Sequence, residues 1–216
     1  KGNGICANNG GRTLNAASTD NKITGNIINN TLNDGIYIGT GSTGTVISKN
    51  DVGVSNKSGI VVLDSKKCQV ISNKVSDCRL DGIYLKNIGD TDIKSNNVTT
   101  VKRYGVQVIS SQLKSLYGNT ITGNGNCGLR IVQSRISGSQ QNRLRNNGSS
   151  YAVYSRNSTG SVLVRLPASA RITRNTARIT GTAAGGRRLT VYVVTKSGNK
   201  RIGQGNVTSR GRYSVS

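Results

Sequence analysis

The 216-residue sequence contains no histidine, methionine, tryptophan or phenylalanine, and all its acidic residues are aspartate. The absence of histidine excludes a mixed Cys/His zinc site and a serine nucleophile activated by histidine. The four cysteines (Cys6, Cys68, Cys78 and Cys127) form no CxxC pair, so their spacing does not suit an all-cysteine metal site. Free, partly buried thiols are the expected state, although the even count leaves disulfides open.

Long apolar stretches are also missing. No run approaches the roughly 20 apolar residues of a membrane-spanning helix, so no membrane span is predicted. A charged segment followed by an apolar one, as in a signal peptide, is not visible at the start. Because natural translation begins with methionine, we expect this chain to be an excised or mature piece of a longer protein.

Acidic charge is scarce and unevenly distributed. The chain has 30 Lys and Arg residues against 8 acids, a formal net charge of +22. Residues 1–92 hold ten basic and eight acidic residues, whereas residues 93–216 hold twenty basic residues and no acidic one. Such a field attracts polyanions, although it also serves solubility alone. Nucleic-acid-binding motifs are missing, so we expect any affinity for DNA or RNA to be unspecific and salt-sensitive.

Two sequence markers recur at a fixed spacing. Glycines that precede an apolar–x–apolar triplet are separated by steps of 24, 23, 23 and 23, and a further 23 leads to Tyr151. These glycines are Gly35, Gly59, Gly82, Gly105 and Gly128. Asparagines in the pattern N-x-[IVL] are separated by steps of 24, 23, 23, 23 and 23, and they are Asn26, Asn50, Asn73, Asn96, Asn119 and Asn142. Two markers that keep one phase over six units indicate a repeat architecture.

Each repeat contains about three very short strands. Apolar residues alternate with other residues after each glycine, as at Ile36 and Ile38. A further short apolar segment lies just before each asparagine, and another just after it. Strands this short need copies in the next repeat to pair with, which predicts parallel stacking at a spacing of about 4.8 Å. The asparagines would then form one column in which neighbouring amides bond to each other and to the backbone.

The Asn column, the G-[IVL]-x-[IVL] strands and the 23-residue coil resemble the right-handed parallel β-helix of pectate lyases and their relatives. The resemblance covers residues 1–166, with Gly4-Ile5-Cys6-Ala7 in an earlier coil. It implies an all-β fold and a secreted or cell-surface location. If the protein is an enzyme, the resemblance implies a polysaccharide lyase.

The last residues, 167–216, form a join and a different β segment. The run from 178 to 216 resembles the first half of a bacterial immunoglobulin-like module, with a strand at Leu189–Thr195, a turn at KSGNK and another strand after SRG. A sandwich of this type needs about 100 residues, so the segment is either a shortened domain or a cap on the last coil.

The outer face of the Gly-Ile-x-Ile sheet is the candidate polysaccharide surface. Two residues after each marker come Tyr37, Val61, Tyr84, Gln107, Arg130 and Val153. The predicted substrate-binding residues combine ring surfaces with cations, and they are Tyr37, Tyr84, Lys86, Arg103, Tyr104 and Arg130. Cations can neutralise a uronate carboxylate, although all of these residues could equally be solvated exterior groups. Asp34 and Asp81, two coils apart, suit either an inverting hydrolase pair or ordinary turns before glycine.

The catalytic motifs expected from the resemblance are incomplete. The Asn-Thr-Asp, Asp-Asp and His-Gly sets of polygalacturonases are missing, and clustered aspartates that would hold Ca²⁺ are not evident, so no catalytic residue, metal or cofactor is assigned. One hypothesis is a domain that binds an acidic, pectate-like polysaccharide and, as an enzyme, degrades it. The alternative is a non-catalytic surface, adhesin or structural module. A phage tailspike would need trimer contacts, and the pattern carries no signal for oligomeric state.

Overall fold

The computed structural model describes residues 2–7, 18–148, 153–160, 164–165, 179–182, 188–195, 198–206 and 212–215. Every regular element in these residues is a β-strand. From residue 5 to residue 165 the strands form three parallel sheets, named A, B and C in the order in which each coil visits them. The predicted parallel β-helix is therefore confirmed, with three short strands in each coil.

Sheets A and C take one strand from every coil, and sheet B takes one from every coil except the coil of residues 129–145, which contributes two. The strands of sheet A are Ile5–Ala7, Ile36–Ile38, Ile60–Leu63, Ile83–Lys86, Val106–Ile109, Leu129–Val132 and Val153–Arg156. Those of sheet B are Lys22–Thr24, Val46–Ser48, Gln69–Ile71, Thr91–Lys94, Gln112–Tyr117, Arg135–Ile136, Ser139–Gln140 and Thr159–Gly160. Those of sheet C are Ile27–Ile28, Asp51–Val52, Lys74–Ser76, Asn97–Thr99, Thr120–Thr122, Asn142–Arg145 and Val164–Arg165.

From Ile36 to Leu129 the register in sheet A follows the predicted repeat, and the first and last coils differ from a step of 23. Ile60 pairs with Ile83, and Ile83 pairs with Val106, so equivalent residues lie 23 positions apart. Leu129 pairs with Val153, a step of 24. The predicted continuation at 23 residues was therefore wrong in the last coil, and Tyr154 rather than Val153 occupies the outward position beside Arg130.

The core is a narrow stack of inward-facing aliphatic side chains. Ile36, Ile60 and Ile83 are each fully buried, as are the sheet B and sheet C residues Ile47 and Val75. Strand alternation sends the intervening residues of sheet A outward. This is why the low apolar content suffices: each coil contributes only a few residues, and the coil above and below completes their burial.

The predicted asparagine column is confirmed by its hydrogen bonds. The Asn50 amide Nδ2 donates to Asn73 Oδ1 at 2.9 Å, and the Asn73 amide donates to Asn96 Oδ1 at 3.0 Å. Each of these amides also donates to the carbonyl of a residue one coil back, Ile23 for Asn50 and Ile47 for Asn73. The column therefore pairs buried amides along the corner between sheets B and C.

Close approach between coils explains the repeated glycine. A Cβ on Gly82 would lie 2.6 Å from the carbonyl oxygen of Gly105 and would collide with Val98. A Cβ on Gly59 would lie 2.8 Å from the carbonyl oxygen of Gly82. The chain must therefore lack a side chain where these coils enter sheet A, which accounts for the recurrence of DGIY.

The C-terminal segment contains two antiparallel strand pairs. Arg188–Thr195 pairs with Gly198–Asn206, and Ile179–Thr182 pairs with Arg212–Val215. The predicted strand at Leu189–Thr195 is confirmed, but Gly198–Lys200, expected in a turn, belong to the second strand. The boundary at residue 166 and the choice between an immunoglobulin-like module and a cap stay predictions.

The described residues also show the state of the cysteines and the lengths of the regular elements. All four thiols are free; Cys6 is exposed, whereas Cys68, Cys78 and Cys127 are buried. The described parts of the chain contain no helix long and apolar enough to cross a membrane.

Candidate functional site

The outer face of sheet A carries one column of side chains, a residue from each coil. Parallel pairing places Tyr37 beside Val61, Tyr84 beside Gln107, and Arg130 beside Tyr154. The column as a whole is Cys6, Tyr37, Val61, Tyr84, Gln107, Arg130 and Tyr154. Neighbours in it are separated by one strand spacing of about 4.8 Å. Three tyrosines and one arginine thus lie in a single line along the axis of the solenoid, and Arg130 and Tyr154 are direct neighbours in it.

Arg130 lies between two tyrosine rings. Its guanidinium carbon is 5.2 Å from the centre of the Tyr104 ring and 5.8 Å from the centre of the Tyr154 ring. The guanidinium carbon of Arg103 is 5.4 Å from the same Tyr104 ring. At these distances a cation is attracted by the negative face of the ring. The rings therefore hold two guanidinium groups on one stretch of the surface, which we call the Arg130 cluster (Tyr84, Arg103, Tyr104, Arg130 and Tyr154).

Asp81 lies beneath this cluster and helps to position it. Its Oδ1 accepts a hydrogen bond from the backbone N–H of Tyr104 at 3.2 Å and lies 3.9 Å from Nε of Arg103. Burial raises the pKa of the Asp81 carboxyl, and the nearby Arg103, the Tyr104 N–H and Arg130 partly oppose that rise. The side chain of Asp81 is 4% exposed and that of Arg103 is 47% exposed, so a ligand meets the cation first.

Asp34, two coils earlier, makes an equivalent hydrogen bond to the backbone of the next coil. Its Oδ1 accepts the backbone N–H of Ser58 at 2.9 Å. Burial raises the pKa of its carboxyl against the lowering effects of that N–H and of Lys57. Both aspartates therefore bond to the backbone one coil further on. This geometry favours the turn interpretation of Asp-Gly over a pair of hydrolytic carboxylates.

Gln107 is a buried polar group within the column. The residue is 5% exposed although it lies on the outward face, between Tyr84 and Arg130. Its Oε1 has no hydrogen-bond partner among the described residues. A buried acceptor without a donor costs free energy, and this oxygen is itself closed to solvent, so the column contains one unsatisfied polar atom.

The two tyrosines of the column that precede Gln107 are held protonated. Burial raises the pKa of the Tyr84 phenol, as does the Asp81 charge, while Arg130 and Arg103 lower it. The pKa of Tyr37 is raised first by burial and then by Cys6, Asp34 and Asp64. Both phenols are therefore hydrogen-bond donors near neutral pH.

The structure brings four of the six predicted binding residues together: Tyr84, Arg103, Tyr104 and Arg130. Tyr37 lies in the same column but two coils away. Lys86 is exposed two positions further along the Tyr84 strand, between Leu63 and Ile109 of the adjacent strands. Sequence reasoning missed Tyr154, because the last step is one residue longer, and it listed Gln107 as outward without assigning it a role.

Metal donors are dispersed over the described residues. No group of three or more His, Cys, Asp or Glu side chains is close enough there to hold an ion. Of the soft donors, histidine and methionine are absent from the sequence, and three of the four cysteines are buried in the solenoid.

Two of the solved structures with the same fold are described as epimerases of alginate or mannuronan, and a third as the enzymatically active domain of a tailspike. The periplasmic alginate epimerase AlgG is 23% identical, over 71% of this chain and 35% of its own, with a TM-score of 0.63. The A-module of the Azotobacter vinelandii mannuronan C-5 epimerase AlgE6 is 14% identical, over 63% of this chain and 39% of its own, with a TM-score of 0.60. The enzymatically active domain of bacteriophage CBA120 tailspike protein 2 is 15% identical, over 71% of this chain and 26% of its own, with a TM-score of 0.58.

The structural similarity to these proteins shows a shared fold. The chain spans about a quarter to two fifths of their length. No curated protein sequence matches the chain. One protein family does, over residues 1–158, which include most of the solenoid. The chain therefore belongs to the family described as periplasmic copper-binding protein (NosD).

Proposed function

We propose that this chain is an extracytoplasmic β-helix module that binds an acidic, uronate-containing polysaccharide along the outer face of sheet A. The observation that carries the proposal is the position of Arg130, with its guanidinium carbon 5.2 Å and 5.8 Å from the centres of two tyrosine rings. Cations and ring faces therefore occupy the same stretch of surface, as a charged sugar polymer requires.

The chemistry of the Arg130 cluster suits a uronate. A guanidinium presents a planar fork of N–H donors that matches a carboxylate, and it stays charged at every accessible pH. The neighbouring tyrosines offer apolar ring faces for the C–H faces of sugar rings and phenol groups for their hydroxyls. Arg103 and Arg130 both lie on Tyr104, so the cluster presents two cations within one coil of each other.

The positive electrostatic field of the whole chain supports a polymeric anion as the ligand. The net charge of +22 raises the encounter rate of any polyanion, and the residues after 92 contribute no acid to oppose it. The family description supports a periplasmic location, and the two epimerases and the tailspike that share the fold support a polysaccharide as the partner. We extend the location to the cell surface or the secreted fraction as the finer expectation.

Binding, without cleavage, is the function that the side chains favour. Cleavage by β-elimination needs a base that removes a proton next to the uronate carboxylate. Asp81 is committed to the Tyr104 N–H and is almost fully buried, while Tyr84 has a raised pKa. Arginine is a poor base because it stays protonated.

Copper, which the family description names, does not fit the donors of this chain. Copper sites in proteins are built from imidazole, thiolate and thioether ligands. The sequence has no histidine and no methionine, and no three candidate donors converge in the described residues. No part of the proposed function is therefore assigned to copper.

Retardation in gels that contain a polysaccharide tests the proposal. We expect polygalacturonate and alginate to retard the chain, and neutral dextran to leave its mobility unchanged. Arg130→Gln should weaken the retardation by about tenfold, the loss of one well-placed charged contact. Arg143→Gln removes the same charge from an exposed site on sheet C and is the matched control. Equal effects of the two substitutions would mean that net charge, and not this face, binds the polymer.

A further inference from the structure

We propose that a groove at the corner between sheets A and B is a second saccharide site, which takes a short stretch of an anionic polysaccharide. This corner groove has a volume of about 540 Å³ and includes Lys66, Asn87, Gly89, Gln133, Arg135 and Asn157 in its lining. The proposal takes the class of ligand from the proposed function, but it uses none of the residues of the Arg130 cluster.

The groove exists because one coil lacks a side chain at the start of sheet B. Lys66 pairs with Gly89, and Arg135 pairs with Gln112 and Thr159, so these residues form one outward column. Gly89 leaves a gap in this column. A Cβ there would meet only Lys66 Cγ, at 3.5 Å, so the space above Gly89 is open to a ligand.

Amides and hydroxyls form the other side of the groove. Asn87, Ser110, Gln133 and Asn157 occupy the same corner of four successive coils, with φ angles of 53°, 48°, 49° and 48°. Asn87 Nδ2 donates to Asp64 Oδ1 at 2.9 Å, and Gln133 Oε1 receives the Ser110 hydroxyl at 3.5 Å. Each carboxamide NH₂ has two hydrogens, so donors remain for the hydroxyls of a sugar.

Hydrogen bonds of two buried serines order the backbone beneath these groups. The Ser111 and Ser134 hydroxyls donate to the carbonyls of Ile109 and Val132 at 2.6 Å and 2.7 Å. The Ser111 backbone N–H in turn donates to Ser134 Oγ at 3.1 Å. Both serines are buried, so this ladder orders the backbone beneath the groove. A preformed polar surface loses little entropy when it binds a ligand.

The charges of the groove select an anion. Lys66 and Arg135 belong to coils three steps apart, a separation of about 14 Å at the strand spacing. None of the described residues that line the groove is acidic, and the nearby carboxylate of Asp64 already accepts a hydrogen bond from Asn87. A sugar chain laid along the axis can therefore place one anionic group near each cation and its hydroxyls against the amides between them.

Side-chain amide resonances give a direct test on the full 216-residue chain. The probe is a short oligogalacturonate, added to ¹⁵N-labelled protein while the NH₂ signals of Asn87 and Gln133 are followed. We expect saturable shifts of both signals. Maltotetraose, which is neutral, should produce much smaller shifts; equal shifts would overturn the assignment to an anionic saccharide, and no shift with oligogalacturonate would overturn the site.

Two glycine substitutions, one inside the groove and one outside it, provide a matched pair of variants. Gly89→Gln places a side chain in the gap without a strained φ, and it should weaken the response of the two signals by about tenfold or more. Gly138→Gln is the control, since its Cβ would also meet a single atom, Lys114 O, at 3.5 Å, and the residue lies outside the groove. Equal responses of the two variants would overturn the proposal.

The two sites can fail independently. Arg130→Gln should weaken the response of backbone signals on the outer face of sheet A by about tenfold and leave the Asn87 and Gln133 shifts unchanged. Loss of the groove shifts in Arg130→Gln would show that the groove is not a separate site. A groove that responds while the sheet A face does not would uphold this inference and contradict the proposed function.

Discussion

The amide of Asn73 donates to Oδ1 of Asn96, exactly one coil of 23 residues further along the chain, at 3.0 Å, and the backbone N–H of Asn73 donates to the same oxygen at 3.0 Å. Asn96 therefore receives two hydrogen bonds from the coil before it. Its own amide donates to Asn119 and to the carbonyl of Val70. One side chain thus joins several coils of the solenoid.

Asn96→Ala should therefore destabilise the solenoid strongly. The substitution leaves buried donors and acceptors without partners, which we expect to lower the free energy of unfolding by about 3 kcal/mol or more. Asn97→Ala, at an exposed position of sheet C directly after it, is the control and should change the free energy of unfolding by less than about 0.5 kcal/mol. Urea titration followed by circular dichroism measures both. Similar losses of unfolding free energy at the two positions would contradict a stabilising role for the asparagine column.

Gly82→Ala tests the close approach of neighbouring coils. Its new Cβ would lie 2.6 Å from the Gly105 carbonyl oxygen, so the backbone must shift, at an expected cost of about 1–3 kcal/mol in unfolding free energy. Gly89→Ala meets only Lys66 Cγ at 3.5 Å and should be close to neutral. Thermal unfolding of the two variants makes the comparison, and a neutral Gly82→Ala would show that the coils are spaced more widely than described.

The cysteines should differ sharply in reactivity. Burial raises the pKa of Cys78 to about 12 and that of Cys127 to about 11, so both remain protonated thiols at neutral pH. Burial also raises the pKa of Cys68, whereas Cys6 is exposed. A thiol reagent at neutral pH should modify Cys6 alone in the folded protein and all four after denaturation. Rapid modification of Cys78 without denaturant would contradict its place in the core.

The buried carboxyl of Asp81 predicts a pH dependence of stability. Its pKa in the folded protein is raised above the usual 3.8, so the folded state binds the proton more tightly than the unfolded state. The stability that the proton contributes is complete below 3.8 and is lost as the pH rises through the folded pKa. Wild type should therefore lose stability relative to Asp81→Asn over this range. If wild type instead gained stability relative to Asp81→Asn as the pH rises, the favourable contact between the Asp81 charge and Arg103 would outweigh the cost of burying that charge.

The sequence predicted the solenoid because its two markers serve contacts that repeat from coil to coil. Glycine allows the close approach of neighbouring coils at the entry to sheet A, and asparagine forms the amide column between sheets B and C. Because both contacts recur over successive coils, the spacing of Gly82 and Asn96 in the sequence reports the fold directly. The inward position of Ile83 and the outward position of Tyr84 then follow from strand alternation.

The candidate site was predicted less completely, because its contacts occur in a few coils only and do not repeat along the chain. Tyr104 precedes a strand and Arg130 lies within the next one, and no periodicity states that their side chains meet. The extra residue before Val153 shifts the last coil, so that Tyr154 reaches Arg130. The burial of Gln107 depends on its neighbours in the adjacent coils, which only the three-dimensional arrangement shows.

The most direct measurement of the central claim follows the Nε–H resonance of Arg130 in ¹⁵N-labelled protein during titration with oligogalacturonate. Binding on the outer face of sheet A predicts that this signal shifts and saturates, and that the Arg143 Nε–H signal on sheet C stays in place. An unchanged Arg130 signal, or parallel shifts of Arg130 and Arg143, would contradict the account.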